Sequence, residues 1–381
     1  AGAISVNLPA GTAGDVVAIK DYANTFDTNN VTLIQNGSDK IGGSTVNAIL
    51  LVEGLAVTLV YVDATQGWLV TDSGLQSEAS EPQYIVATGG TITTVCTNFK
   101  VHTFTGPGTF TVCSVGNPAG SVSVDYLVAA GGGGGGEGHG GGGGAGGFRE
   151  SPGTASGSYS VSPLGVSPAV ALPVSATIYP ITVGSGGAGA AVSGTAVVGA
   201  NSTFSTITST GGGLGGSRTN NPGGNGGSGG GGNQFSGTCR APGGSGNTPP
   251  VSPSQGNNGG QSGTDNSTFR GGGGGGGAIA VGTDSSPAGP QYSANAVGCG
   301  GAGATTSISA SPTAYAGGGG GASSCFPGVG GAGGGGAGGE NTVGATAGTA
   351  NTGGGGGGGG SGLTGSSGGS GIVIIRYKFQ N

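Results

Sequence analysis

The chain has 381 residues, of which 101 are Gly and 18 Pro, together about 31%, a share at which aperiodic chains are usually low-complexity or disordered. Only 6% of residues are charged, whereas 33% are hydrophobic and gathered in short β-branched runs, which argues for packed cores. A formal charge of -6 with nine Lys plus Arg excludes a basic stripe for nucleic acid, and no apolar stretch approaches the ~20 residues of a membrane span.

Residues 1–72 read as a small all-β domain. Runs at 16–19, 31–34, 46–52 and 57–62 are rich in β-branched residues and bounded by turn formers such as Asn29-Asn30 and Asn36-Gly37-Ser38. The chain opens at Ala1 without Met, almost directly in the strand-like run 4–8, so we expect a part of the protein to precede it. No charged-then-apolar signal segment opens it, and we expect a soluble protein. Polar residues 73–83 read as a linker, and strands return from residue 84. A hairpin is expected from 99–104 and 109–115, turning at Thr105-Gly106-Pro107-Gly108. With Phe104 facing Phe110 in that hairpin, Cys113 falls opposite Val101 rather than Cys96, so no cross-strand disulfide is expected there. The five cysteines, Cys96, Cys113, Cys239, Cys299 and Cys325, are odd in number, and none has the spacing of a zinc or redox pair.

From Gly131 the chain changes character. Glycine tracts recur at 131–136, 140–144, 229–232, 271–277, 317–321, 333–336 and 353–360, separated by segments that do not repeat one another. Gly is not held to every third position, so this is not collagen. A flexible linker has no reason to end in the apolar run 372–379. Extended helices of three residues per turn point every N–H and C=O outward, and without Cβ atoms such helices approach closely enough to bond to each other. The expected fold is therefore all-β plus a polyglycine II helix bundle. A small β domain (1–72) precedes a glycine-rich domain (84–381) whose strands 126–130, 176–183, 202–208 and 372–379 supply the core. A β domain with a disordered glycine tail is the compositional alternative.

Three motifs carry a resemblance to a known family. Lys100-Val101-His102-Thr103-Phe104-Thr105-Gly106-Pro107-Gly108-Thr109-Phe110-Thr111-Val112, then Tyr126-Leu127-Val128-Ala129-Ala130-Gly131, then Gly368-Gly369-Ser370-Gly371-Ile372-Val373-Ile374-Ile375-Arg376-Tyr377 resemble the glycine-rich domain of bacteriophage tail fibre proteins. Upstream, Gly14-Asp15-Val16-Val17, Asp21-Tyr22-Ala23 and the run from Leu59 to Trp68 resemble a small β module that precedes it in marine phage fibres. The resemblance implies an adhesin of the virion tail fibre, acting extracellularly through loops on a polyglycine-helix sandwich. Its implied partners are a bacterial surface receptor, an outer-membrane protein or polysaccharide, and other fibre subunits in a homotrimer. A purely structural fibre or surface-layer protein that stacks into filaments is the alternative.

No catalytic residue, metal ligand set or cofactor is expected. Gly-x-Gly-x-x-Gly matches arise by chance in such tracts, and no Gly-Lys-Ser/Thr follows them. Glu137-Gly138-His139 falls short of a metal ligand set. The two histidines, His102 and His139, come without a Gly-x-Ser-x-Gly elbow, and His102 reads as a strand residue. Receptor-binding candidates are Arg218, Phe235, Arg240, Phe269, Arg270, Tyr292, Tyr315 and Phe326. They fall between tracts with no adjacent apolar run to bury them, and exposed Arg and aromatics favour recognition. The bland alternative is that several plug the ends of the bundle.

Overall fold

A computed structural model describes residues 2–75, 82–157, 159–218, 222–233, 240–263, 271–285, 297–324 and 326–380. The chain divides into two compact units, Ala1–Glu81 and Pro82–Asn381. Among the described residues the regular elements are all strands.

The first unit holds β1 (Ile4–Asn7), β2 (Val16–Lys20), β3 (Val31–Ile34), β4 (Ala48–Leu50), β5 (Leu55–Asp63) and β6 (Gly67–Leu75). They form two three-stranded sheets, β1-β3-β4 and β2-β5-β6. Along β5 every second residue, Val57, Leu59 and Tyr61, is buried, the period-2 signature of a strand with one face on a core. Those side chains meet Leu8, Phe26, Leu33 and Trp68, the last edge-on to Tyr61 at 5.5 Å between ring centres. Buried Asp21 accepts hydrogen bonds from the backbone of Thr25, Phe26 and Gly54, each at 3.0 Å, and so ties two loops together. Two expectations change here. The strand expected at 46–52 shrinks to β4. The expected linker begins too early, because Ser73, Gly74 and Leu75 pair with Val57, Ala56 and Leu55.

In the second unit the strands are β7 (Val86–Thr88), β8 (Thr91–Val95), β9 (Phe99–Phe104), β10 (Gly108–Ser114), β11 (Ser123–Ala129), β12 (Phe148–Glu150), β13 (Leu172–Pro173), β14 (Ile178–Thr182), β15 (Ser202–Phe204), β16 (Ile207–Ser209), β17 (Ala304–Thr306), β18 (Thr313–Tyr315) and β19 (Ile372–Lys378). One sheet runs β16-β15-β14-β10-β7. Another runs β12-β11-β19-β9-β8, with β13 also on β11. The hairpin expected from 99–115 is not formed: β9 pairs with β8 and β19, while β10 pairs with β14 and β7. Phe104 and Phe110 nonetheless face one core from the two sheets, where they join Tyr126, Ile181, Phe204, Val373 and Tyr377. The two rings thus enter that core from different sheets.

The last strand is central. β19 is paired on both edges, by β11 and β9, and its first six residues are buried. Val373, Ile375 and Tyr377 face the core between the sheets, while Ile372 and Ile374 enter a second cluster with Leu127, Phe148, Ala278, Ile308 and Tyr315. A strand covered on both faces reads as a continuous apolar run, which is why 372–375 lack alternation. Each such aliphatic side chain contributes roughly 1.5–3 kcal/mol on burial. Cys96, Cys113 and Cys299 are free thiols, and Cys239 and Cys325 lie outside the described residues.

From this β core the glycine tracts extend as a hydrogen-bonded array with a period of three. Gly131 and Gly134 donate to Ala200 O and Val197 O, Gly132 and Gly135 to Gly369 O and Ser366 O, and Gly133 and Gly136 to Gly144 O and Gly141 O, at 2.9–3.0 Å. The carbonyls of the same tract accept, again in steps of three, from Gly212 and Gly215, from Gly187 and Ala190, and from Gly356 and Gly359. Residues 131–136 are thus flanked on six sides by other segments and are fully buried without an unpaired amide. Tract 140–145 is enclosed in the same way, by 356–359, 213–216, 273–276, 319–322, 133–136 and 228–231. Side chains have no room: a Cβ on Gly143 would stand 2.1 Å from Gly133 O, and one on Gly274 1.9 Å from Cys299 O.

Candidate functional site

The array has two unlike ends. Tract 130–136 leaves β11 and turns back at Glu137–Gly138–His139, and tract 140–146 returns to β12 in the same sheet. Tract 353–360 likewise starts beside Gly146 and turns at Ser361–Gly362 before 363–371 leads into β19. The turns away from the sheets therefore gather at one far end, and this end is the candidate site.

Side chains there bridge segments distant in sequence. Asn233 Nδ2 donates to Glu137 O at 2.9 Å and Gly138 O at 3.2 Å, His139 Nε2 lies 3.2 Å from Ser324 Oγ, and Asn341 Nδ2 donates to Ser324 O at 3.3 Å. Gly138 and His139 both take φ near +64°, the left-handed conformation that reverses the chain in three residues. His139 is unusual in adopting it with a side chain. Backbone bridges join the same end, with Gly271 paired to Ser323.

The candidates from sequence separate sharply. Arg218 is exposed at this end, and its guanidinium lies across the 137–139 turn, where a Cβ on Gly138 would stand 3.1 Å from Arg218 Nε. Arg240 is there too, but much of its fork is used internally: Nε donates to Ser262 O at 2.7 Å and Nη2 to Ser285 O at 2.5 Å, with Asp284 at 3.7 Å. It clamps three segments while leaving one edge in solvent. Phe326 is half-buried against Val297, and its backbone N–H donates to Ser323 Oγ at 2.8 Å. Tyr315 is a correction. It is 4% exposed, ends β18 at the opposite, β-sheet end, and packs with Ile308 and Phe148. No apolar run adjoins it in sequence; a lone Ile308 upstream and the distant Phe148 bury it together. Phe235, Phe269, Arg270 and Tyr292 lie outside the described residues.

Asn233 and Asn341 were not singled out by sequence reasoning. Their only signal is position, directly after a glycine tract or in the turn between two of them.

The other concentration of polar groups sits in the β core. Asp125 accepts from Ser151 Oγ at 2.8 Å and from Ser156 N and Oγ at 2.7 and 2.6 Å, and Glu150 from Ser162 N at 2.9 Å and Thr306 Oγ1 at 2.5 Å. Burial raises the Glu150 carboxyl above its ordinary value, opposed by those hydrogen bonds. Arg376 lies over the Phe99 ring at 4.7 Å and the Tyr159 ring at 5.2 Å, which packs its cation between aromatic faces. These carboxylates are buried and already accept hydrogen bonds from the chain, so their work here is to pin the 151–165 segment to the sheet. Among the described residues no group of three or more His, Cys, Asp or Glu is placed to hold a metal, and no helix is long and apolar enough to cross a membrane.

The family model described as Glycine-rich domain matches residues 104–378. The chain belongs to the glycine-rich domain family. No curated protein matches it. The glycine-rich domain match begins at Phe104, the last residue of β9, and ends at Lys378, the last of β19. It therefore takes in the whole glycine array and its far end, while β7, β8 and most of β9, which complete the two sheets, precede it.

Proposed function

We propose that the array is a bundle of polyglycine II helices and that the chain is the distal adhesin of a bacteriophage tail fibre, without enzymatic activity. The reading places it on the virion, outside the cell, as a homotrimer of fibre subunits that binds an outer-membrane protein or polysaccharide of the bacterial surface. The period of three in the hydrogen bonds supports the helix assignment, since extended helices of this class turn once every three residues. One observation carries the functional reading. The enclosed tracts spend their backbone groups on neighbouring segments and have no side chains, so recognition falls to the segments at the tract ends. The far end presents Arg218 and Phe326; the candidates Phe235, Phe269, Arg270 and Tyr292 fall between tracts in the sequence. The motif resemblance at 100–112, 126–131 and 368–377 supports the phage assignment.

The test is adsorption of the full chain, fluorescently labelled, to a panel of intact bacterial strains. The expected outcome is saturable binding to particular strains. Binding should be lost or redirected by Arg218→Ala, or by a Gly/Ser connector between Ser285 and Val297, while the melting temperature stays within about 2 °C, since surface segments contribute few core contacts. Folded variants that adsorb normally to the same cells, or an intact chain that adsorbs to none, would count against the reading and favour a purely structural fibre.

A further inference from the structure

The sequence contains three Asn-Gly bonds, Asn36-Gly37, Asn225-Gly226 and Asn258-Gly259. This dipeptide has a reactivity of its own. Glycine has no Cβ to crowd its nitrogen, which therefore reaches the side-chain amide carbon of the preceding asparagine more readily than the nitrogen of other residues does. The attack needs a side chain free to turn back along the chain and a following N–H that is not committed to an acceptor. Two of the three bonds are denied both. In the glycine array Asn225 Oδ1 accepts from Ser245 N at 2.7 Å and Asn258 Oδ1 from Gly246 N at 2.8 Å. The next nitrogens are committed as well, Gly226 N to Ser245 O at 3.1 Å and Gly259 N to Gly244 O at 3.0 Å. Both glycines are packed on neighbouring tracts, where a Cβ on Gly226 would stand 2.4 Å from Gly213 N and one on Gly259 2.1 Å from Gly230 O. Asn36 and Gly37 differ on every count. They are exposed in a turn after β3, closed by Asp39 N donating to Asn36 O at 2.8 Å. That bond holds the carbonyl of Asn36 alone. Among the described residues neither the Asn36 side chain nor Gly37 N has a hydrogen-bond partner, and a Cβ on Gly37 would meet nothing within 4 Å.

We propose that Asn36 is a site of spontaneous deamidation, while the glycine array protects Asn225 and Asn258. Gly37 N gives up its proton to solvent base and bonds to Asn36 Cγ. The Cγ–Nδ2 bond breaks and ammonia leaves with a proton from water, which yields a cyclic succinimide. Water then adds to either carbonyl of the ring and opens it to aspartate or isoaspartate. Both products put a new carboxylate in the turn, and isoaspartate also lengthens the main chain there by a methylene. Asp39, at the end of that turn, accepts from Gly11 N at 2.9 Å and from Tyr61 Oη at 3.3 Å, so the altered turn is tied to β5. This inference does not depend on the adhesin reading, and its test needs no host cell.

The full chain is kept in mildly alkaline buffer at physiological temperature, sampled over weeks and digested with trypsin. Cleavage after Lys20, Lys40, Arg218, Arg240 and Arg270 puts the three bonds in separate peptides, which chromatography and mass spectrometry resolve. Asn36 is expected to become a mixture of aspartate and isoaspartate. Asn225 and Asn258 should react at least about tenfold more slowly, because each must first break hydrogen bonds of the array. In urea that unfolds the chain the three should convert at similar rates. Asn36→Gln, whose amide carbon lies one bond farther from the attacking nitrogen, should keep the 21–40 peptide unchanged. Equal rates in the folded protein, or an Asn36 that keeps its amide as long as the other two, would overturn the proposal. So would a conversion of the 21–40 peptide that survives Asn36→Gln, or unequal rates that persist in urea, which would show that neighbouring sequence and not the fold sets them.

Discussion

At the residue scale the decisive atom is a missing one. Around Gly143 and Gly356 the nearest atoms to a hypothetical Cβ are the carbonyl oxygens of Gly133 and Ser366, each 2.1 Å away, and both belong to rigid neighbouring tracts. Such collisions cannot be relieved by a side-chain rotation, so Gly143→Ala or Gly356→Ala must separate tracts and break backbone hydrogen bonds. We expect each to cost at least the 1–3 kcal/mol or so typical of overpacking, read as a fall in the urea midpoint. Gly344 is the control. It is exposed, with nothing within 4 Å of the added atom and no positive φ, so Gly344→Ala should leave the midpoint unchanged or slightly raised. Equal midpoints for all three variants would mean that the tracts are not closely packed. Which glycines are intolerant could not be read from the sequence, because a glycine in an enclosed tract and one in a surface turn carry the same side chain, none.

At the element scale the strands were legible where β-branched residues cluster, and their partners were not. The runs at 16–19, 31–34, 57–62 and 372–379 are close to β2, β3, β5 and β19. The pairing of β9 and β10 was misread because proximity in sequence favours a hairpin, whereas β9 takes β8 and β19 and β10 takes β7 and β14, partners up to about 270 residues away that local sequence does not show. His102 on β9 shows what that core imposes. Its Nδ1–H donates to Gly89 O at 2.7 Å, Nε2 accepts from Tyr377 Oη at 3.1 Å, and its ring stands perpendicular to that of Phe110 at 5.1 Å between centres. The neutral imidazole is satisfied on both nitrogens. Burial lowers its pKa below the usual 6.5, opposed in part by the bond to Gly89 O. Below pH 6.5 the unfolded chain therefore binds a proton that the folded chain refuses, and stability falls as pH falls, by at most about 1.4 kcal/mol per pH unit. Glu150, with its raised pKa, acts in the opposite sense, gaining stability as pH falls toward its ordinary value. The comparison of interest is thus parent against His102→Gln. Urea midpoints measured from pH 7 to pH 5 should fall more steeply for the parent, and parallel curves would show that His102 is not held neutral.

At the scale of the whole glycine-rich domain, a β core joins to an array in which side chains are absent from the enclosed tracts and return only at the edges and ends. Val197, Val281 and Val329, each more than half exposed, stand on outer segments, while 131–136 and 140–144 are glycine throughout. The composition announced the array, and the closing strand 372–379 announced that it is anchored. The order in which the tracts neighbour one another has no signature in the sequence, since identical glycines offer no pattern by which one tract selects another. For the same reason Tyr315 read as a surface residue. Its burial depends on Phe148 and Ile374, brought beside it by that hidden order.

The account rests on the tracts being ordered by backbone bonds alone, and amide exchange of protein labelled with 15N at glycine tests this directly. Gly140 to Gly144, Gly272 to Gly277 and Gly355 to Gly359 donate hydrogen bonds to neighbouring segments and are buried. Their amides should exchange many orders of magnitude more slowly than a random coil, at rates approaching those of the β19 backbone, whereas exposed Gly344 should exchange fast. Exchange of the enclosed glycine amides at random-coil rates while β19 stays protected would contradict the account and leave a β core carrying an unstructured glycine tail.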